Sequence, residues 1–180
     1  WDSQLTNNGN PTPWVSHPDN VKDFLNTGVN ISNNVSITSG AFRLSIGNSE
    51  EKGMVPFTEL KKISVGVSGR LDIGEKIQAG VSLNYFNTDS DNIPISGYNN
   101  ENPFQQFIWS ARQVNFTDLR DWRNFPNAPD GTAAAGTPLN WNHNFQNNPY
   151  WVLETNTNTL EKDRIIGNVD LTSQLTDDLK

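Results

Sequence analysis

The sequence contains no cysteine among its 180 residues, so neither a disulfide scaffold nor a metal site with cysteine ligands can form within it. It has no run of about 18 apolar residues, which excludes a protein that crosses a membrane with helices. Basic residues are few, 13 against 20 acidic ones, and the net charge of -7 argues against nucleic acid as a partner.

Motifs of catalysis and metal binding are also missing. The sequence has no G-x-S-x-G, no phosphate-binding glycine loop and no H-E-x-x-H, and its two histidines, His17 and His143, lie far apart. Residues 89–92 resemble the start of a calcium loop, but Pro94 and Asn100 stand where that loop needs glycine and glutamate. We therefore predict no enzymatic activity, no metal and no cofactor.

What remains is a neutral, polar chain. Only 34% of its residues are hydrophobic and 18% are charged, and its length allows one domain. This composition is compatible with a transmembrane β-barrel, because such strands turn half of their side chains toward a polar lumen.

The clearest pattern is an alternation with a period of two. Apolar residues recur at every second position over residues 63–73 and again over 77–85, with polar residues between them. This pattern predicts two long antiparallel strands, each with one apolar and one polar face. Apolar residues Ile73 and Ile77 can face each other if residues 74–76 form a three-residue turn.

The same period continues on both sides of this hairpin. Residues 28–38 and 42–46 predict a second hairpin, with Ser39 and Gly40 as its turn and Ile37 opposite Phe42, and residues 164–175 predict a fifth strand. A link at 47–61 and a long polar insertion at 88–162 complete the chain. Short helices are expected at 19–25, with Asp19 or Asn20 as N-cap, and within 110–122, from the helical spacing of Phe104, Phe107, Ile108 and Ala111.

Turns therefore alternate between short and long, as in outer-membrane β-barrels with short periplasmic turns and long outer loops. The predicted strands match the ~9–11 residues that a tilted strand needs to cross a membrane. A soluble β-sandwich also alternates, but its outer face usually carries many charges, which are scarce here. Five strands do not close such a barrel, so the chain would be one segment of it.

Aromatic residues concentrate in the long insertion and are the main candidates for a binding site. They could stack on sugar rings or pack against a partner protein, or they could form a small core of the insertion itself. Arg112 could bind a polar ligand or form a salt bridge with Asp91, Asp118 or Asp121. The aromatic candidates are Tyr98, Trp109, Trp122, Trp141, Tyr150 and Trp151.

Several segments resemble SusC/RagA-type TonB-dependent outer-membrane transporters, in the family's order and over nearly the whole chain. Residues 13–28 read PWVSHPDNVKDFLNTG, and 105–109 and 112–114 read QQFIW and RQV. The other segments are FRLS at 42–45, KGMVP at 52–56, LKK at 60–62, SDN at 90–92, GYN at 97–99, NNPYW at 147–151 and DRIIGN at 163–168.

The resemblance implies a 22-stranded barrel in the outer membrane of a Gram-negative bacterium, with residues 1–180 as an early barrel portion and 88–162 as an extracellular loop. It implies TonB-dependent uptake of oligosaccharides or peptides together with a SusD-like surface lipoprotein. The plug domain and TonB box of the family have no counterpart in these residues. The chain starts at Trp1 without methionine or signal peptide, so we expect a fragment or a processed piece. A soluble carbohydrate-binding module and a loop that only docks a partner are the alternatives.

Overall fold

A computed structural model describes residues 6–7, 10–11, 15–123, 138–142 and 145–173. The chain divides into two compact units. We call Val29–Lys52, Glu59–Ser90 and Leu160–Lys180 the sheet unit, and Trp1–Gly28, Gly53–Thr58 and Asp91–Thr159 the helical unit.

Short strands β1 (Thr6–Asn7) and β2 (Asn10–Pro11) pair with each other, and five long strands form one sheet. The long strands neighbour one another in chain order, and β3–β4, β4–β5 and β6–β7 are antiparallel pairs. The predicted all-β antiparallel fold is thus confirmed. The long strands are β3 (Val29–Ser39), β4 (Phe42–Lys52), β5 (Glu59–Ile73), β6 (Ile77–Asn92) and β7 (Leu160–Ser173).

Strand register places most of the apolar side chains of the sheet on one face, with Phe86 and Ile166 as exceptions on the other. Leu44 of β4 lies opposite Ile37 on one side and Val67 on the other, and Val81 of β6 lies opposite Val169 of β7. Most side chains of this apolar face are exposed, for example Ile77 at 38% and Val169 at 81%, whereas Val65 and Ala79 are only partly exposed. The sheet therefore presents a broad apolar surface.

Charged residues lengthen the second pair of strands beyond the predicted limits. The link between β4 and β5 was expected at residues 47–61. It spans only residues 53–58, because β4 continues to Lys52 and β5 begins at Glu59. In this stretch Glu50 lies opposite Lys61, and Lys52 lies opposite Glu59. Opposite charges on facing strands stabilise a ladder much as apolar pairs do, and the apolar pattern does not reveal them.

The long insertion is likewise shorter than predicted, 93–159 instead of 88–162. Strand β6 runs to Asn92 and β7 begins at Leu160. Polar side chains hold this extension, since Tyr85 Oη and Asn87 Nδ2 donate to Asp163 Oδ1 over 2.7 and 3.0 Å. Strand β7 ends at Ser173 within the described residues, and the turn expected at 176–179 lies outside them.

The three-residue turn at 74–76 is as predicted, but the first hairpin turns one residue later than predicted. Ser39 pairs with Phe42, so Gly40 and Ala41 form the turn, and Ile37 lies opposite Leu44 instead of Phe42. Gly40 has φ +58° and Gly74 has φ +68°. Only glycine adopts this left-handed conformation at no steric cost, so the turn starts at Gly40.

The described residues of the helical unit form four short helices. Helix α1 begins at Asn20 after Asp19 and so matches the helix expected at 19–25. The short helix expected within 110–122 is a 3₁₀ helix, whereas Phe104, Phe107 and Ile108, whose spacing predicted a helix, lie in a separate helix, α2. The helices are α1 (Asn20–Phe24), α2 (Pro103–Trp109), the 3₁₀ helix (Phe116–Asp121) and α3 (Pro149–Thr155). None of the described helices has the length and apolar character to cross a membrane.

Replacing Gly40 by alanine tests the turn. We expect Gly40→Ala to lower the free energy of unfolding by about 1–2 kcal/mol, because an L-residue is strained at positive φ. Steric crowding adds nothing, since a methyl group there would meet no heavy atom within 4 Å. Denaturant titration measures the change. Ala41→Ser in the same turn is the control and should stay within about 0.5 kcal/mol of the parent; equal effects of both substitutions would contradict the assignment.

Candidate functional site

An aromatic core holds the helical unit together. Phe24 of α1 contacts Phe107 and Tyr150, with both ring centroids at 4.8 Å, and Phe107 meets Phe116 edge-on at 4.7 Å. Tyr150 is buried, and this burial raises the pKa of its phenol, an effect that Arg120 partly offsets. Tyr150, a predicted ligand-binding residue, therefore lies in the core.

Buried asparagines tie the backbone of the unit to this core. Asn148 caps α3 by accepting hydrogen bonds from the backbone N–H groups of Tyr150 and Trp151, at 2.8 and 3.3 Å. Its Nδ2 donates to the carbonyl oxygens of Leu119 and Leu139, at 2.8 and 2.7 Å. One fully buried side chain thus joins α3, the 3₁₀ helix and the segment 138–142.

Trp122 also has a structural role. It packs against the aromatic core, and its Nε1 donates to Glu154 Oε2 over 2.9 Å. Arg123 Nη1 donates to the same oxygen at 3.0 Å, and the guanidinium carbon lies 4.1 Å from the centroid of the Trp122 ring. Trp151 is half-buried on α3.

Four of the seven predicted site residues lie together around one cavity of the helical unit. The cavity has a volume of about 1010 Å³, and Tyr98, Trp109, Arg112 and Trp141 line it. This volume is at the upper end of the ~300–1,000 Å³ range of small-molecule sites. Residues within 98–114 supply one part of its walls, and residues 141, 142, 145 and 146, which are distant in sequence, supply another.

Much of the apolar surface around this cavity is open. Tyr98 is 86% exposed and Trp109 56% exposed, and Ile108 and Phe145 are exposed beside them. The sequence reasoning missed Ile108 and Phe145. Phe107 of α2 packs on the core, and Ile108 follows it on another face of the helix. This position was the sequence signal that could have identified Ile108 as a lining residue. Phe145 has no such signal.

Side-chain amides form the polar part of the lining. Gln105, only 5% exposed, donates through Nε2 to Asn100 Oδ1 at 3.1 Å. Its Oε1 has no hydrogen-bond partner within the described part of the chain, and the same holds for Gln146 Oε1 and Trp141 Nε1. An unpaired buried polar atom costs about 1–3 kcal/mol, so this wall has hydrogen-bonding capacity that the protein leaves unused.

Arg112 is the one charged residue among the described residues that line the cavity. Its Nη1 donates to the carbonyl oxygen of Pro18 over 2.9 Å. The salt bridge considered with Asp91, Asp118 or Asp121 does not form between these residues in the structure. This carbonyl contact satisfies one guanidinium N–H, and no carboxylate of the described ranges forms a salt bridge with Arg112.

The cavity can thus bind a ligand by stacking, by amide hydrogen bonds and by one positive charge. Within the described ranges, no three histidine, aspartate or glutamate side chains converge to hold a metal ion. No protein-family model matches the chain, and no curated protein matches it.

Glu154 gives the helical unit a pH dependence. Hydrogen bonds from Arg123 and then Trp122 hold the pKa of Glu154 below its ordinary value of 4.5. The ionised form is therefore favoured by folding, so its stabilisation is complete above pH 4.5 and is lost as the pH falls through the lowered pKa.

We expect Glu154→Gln to weaken the protection of the α3 amides at pH 7 by about 0.5–1 kcal/mol, as for an exposed ion pair. The difference from the parent should shrink as the pH drops below 4.5. Hydrogen exchange measures the free energy of local opening at each pH. Asp91→Asn, at an exposed carboxylate of the same unit, is the control and should leave the protection of α3 close to that of the parent; an equal Glu154→Gln effect at pH 7 and pH 3 would contradict the assignment.

Proposed function

We propose that this chain is part of the barrel of a SusC/RagA-type outer-membrane nutrient importer, which takes up oligosaccharides or peptides in a TonB-dependent manner. The observation that carries the proposal is the exposed apolar face of the sheet. Fully burying a valine, leucine or isoleucine side chain is worth about 1.5–3 kcal/mol, so a face of many such residues is costly in water. Lipid hydrocarbon would cover this face without any further protein.

Strand length agrees with this setting. The five strands contain 11, 11, 15, 16 and 14 residues, and ~9–11 residues suffice for a tilted strand to cross a membrane. Their charged pairs, Glu50 with Lys61 and Lys52 with Glu59, lie toward the strand ends, where water or headgroups would solvate them.

The edges of the sheet support a larger barrel. Strands β3 and β7 each have one neighbour among the five long strands. An unpaired edge leaves backbone N–H and C=O groups without partners, which hydrocarbon does not tolerate. Further strands, 22 in total as the resemblance implies, would pair these edges and close the barrel.

The opposite face of the sheet suits a water-filled lumen. Beside charged residues such as Arg43 and Asp170 it carries small polar side chains, and Ser32 Oγ donates to Ser49 Oγ across the β3–β4 pair over 3.0 Å. Asn168 lies opposite Ser82 on the same face. Short serine and asparagine side chains leave room for passage of a solute.

Residues 93–159 would then be an extracellular loop that takes part in binding the nutrient. In this mechanism a SusD-like lipoprotein delivers the glycan or peptide, the cavity of the helical unit contributes to binding, and TonB drives passage from the inner membrane. No covalent step is required of this chain. Among the described residues, Tyr98, Trp109, Arg112 and Trp141 would contact the ligand or the lipoprotein.

A soluble carbohydrate-binding module is the second candidate, because the cavity alone would serve such a module. The apolar face weighs against it, since a soluble sheet of this kind would require a covering layer. A loop that only docks a partner is favoured by no specific contact.

Lysine substitutions on the two faces of β6 test the proposal in the intact protein. We expect Val81→Lys, on the apolar face, to reduce the amount of heat-modifiable protein in the outer-membrane fraction severalfold. A lipid-facing lysine near the bilayer midplane costs about 2–4 kcal/mol. Ser82→Lys, one residue away on the polar face, is the matched control and should assemble normally.

Fractionation of the parent protein separates the two candidates. The importer should be extracted from outer membranes only with detergent. Recovery of the protein from the aqueous fraction as a folded, monodisperse species would overturn the proposal, as would equal assembly of both lysine variants.

A further inference from the structure

We propose that the cavity of the helical unit selects acidic sugars, with Arg112 pairing the carboxylate of a uronic or sialic acid unit and Tyr98 and Trp109 stacking on sugar rings. The inference deepens the proposed function by naming the substrate class of this site. It rests on the charge of the lining, on its open aromatic faces and on its unpaired hydrogen-bonding atoms.

Charge is the most selective feature of the cavity. Its described lining holds one guanidinium and no carboxylate, whereas the whole chain has a net charge of -7. A guanidinium carries five N–H donors in a planar fork, and the contact with Pro18 uses one of them. The remaining donors match the two oxygens of a carboxylate, and such charge-assisted pairs are stronger than neutral hydrogen bonds.

Exposed aromatic rings near this charge favour a sugar as the carrier of the carboxylate. Tyr98 and Trp109 leave much of their rings uncovered, and a flat apolar ring complements the C–H face of a pyranose. The cavity volume, about 1010 Å³, has room for more than one sugar ring.

Amide side chains suit the hydroxyl groups of such a ligand. A hydroxyl both donates and accepts, and the lining offers the matching partners, an acceptor at Gln105 Oε1 and at Gln146 Oε1 and a donor at Trp141 Nε1. Gln105 is nearly buried, so its free oxygen is costly until a donor reaches it. A peptide would need an exposed strand edge or a groove for its backbone, whereas these dispersed amides fit separate hydroxyls.

Binding of matched acidic and neutral glycans to the intact protein tests the inference. The probes are tetragalacturonate and sialyllactose, each beside its neutral methyl ester, and calorimetry measures the affinities. We expect at least one acid to bind about tenfold or more tightly than its ester, with a preference that weakens at high salt.

Variants then assign the preference to residues. Arg112→Gln should remove the difference between acid and ester, whereas Lys22→Gln, an equal change of charge in the same unit, should keep it. Trp109→Ala should weaken acid and ester alike by tenfold or more, while Trp151→Ala, which changes a tryptophan outside the described lining, should have little effect.

Equal affinity for acid and ester, an unchanged preference in Arg112→Gln, or no binding of any probe would each overturn the inference. Tight binding of tetraglutamate in place of both sugars would assign the cavity to acidic peptides and overturn it as well. None of these results bears on the importer itself, because membrane extraction and the lysine variants test that proposal separately.

Discussion

Along β3 to β7, apolar side chains gather on one face of the sheet and remain exposed there. This uncovered face is the constraint on which the account of the molecule depends. Exposing an apolar surface of this size to water is unfavourable, because the free energy that burial of these side chains would provide is not gained. Lipid covering this face, as proposed, would account for the strand lengths and for the small polar residues of the opposite face.

In the helical unit, asparagine side chains bind backbone groups that regular secondary structure would otherwise satisfy. Its short helices leave many backbone groups without regular partners, and buried amides satisfy them. Besides Asn148, Asn92 Nδ2 donates to the carbonyl oxygen of Leu153 at 2.7 Å, and Asn20 contacts the backbone of Val114 and Phe116. These three asparagines of the helical unit are therefore structural.

Sequence periodicity predicted the sheet but not its limits. An alternation of apolar and polar residues sets which side chains share a face, so five antiparallel strands could be predicted. Strand ends depend on pairs such as Glu50 with Lys61 and Tyr85 with Asp163, and these partners are known only when the register is known. The turn at Gly40 was misplaced by one residue because either placement keeps apolar residues opposite each other.

The candidate site was predictable only as a set of residue types. Six aromatic residues of the insertion looked equivalent in sequence, and tertiary packing separates them. Tyr150 is buried against Phe24, whereas Tyr98 and Trp109 stay open beside Arg112. Helices of seven residues are too short for their spacing to reveal which face is buried. Residues 141, 142, 145 and 146 join the site through the fold alone.

The most direct test measures whether lipid or water contacts each face of the sheet. The chain has no cysteine, so nitroxide labels can be attached at Val81→Cys, Val169→Cys, Ser82→Cys and Asn168→Cys in the intact protein, reconstituted in liposomes. The account predicts that labels at Val81 and Val169 collide more with oxygen, which partitions into lipid, than with a water-soluble nickel chelate. Labels at Ser82 and Asn168 should show the reverse. Frequent collisions of the first two labels with the nickel chelate, or with neither reagent, would contradict a lipid-facing sheet.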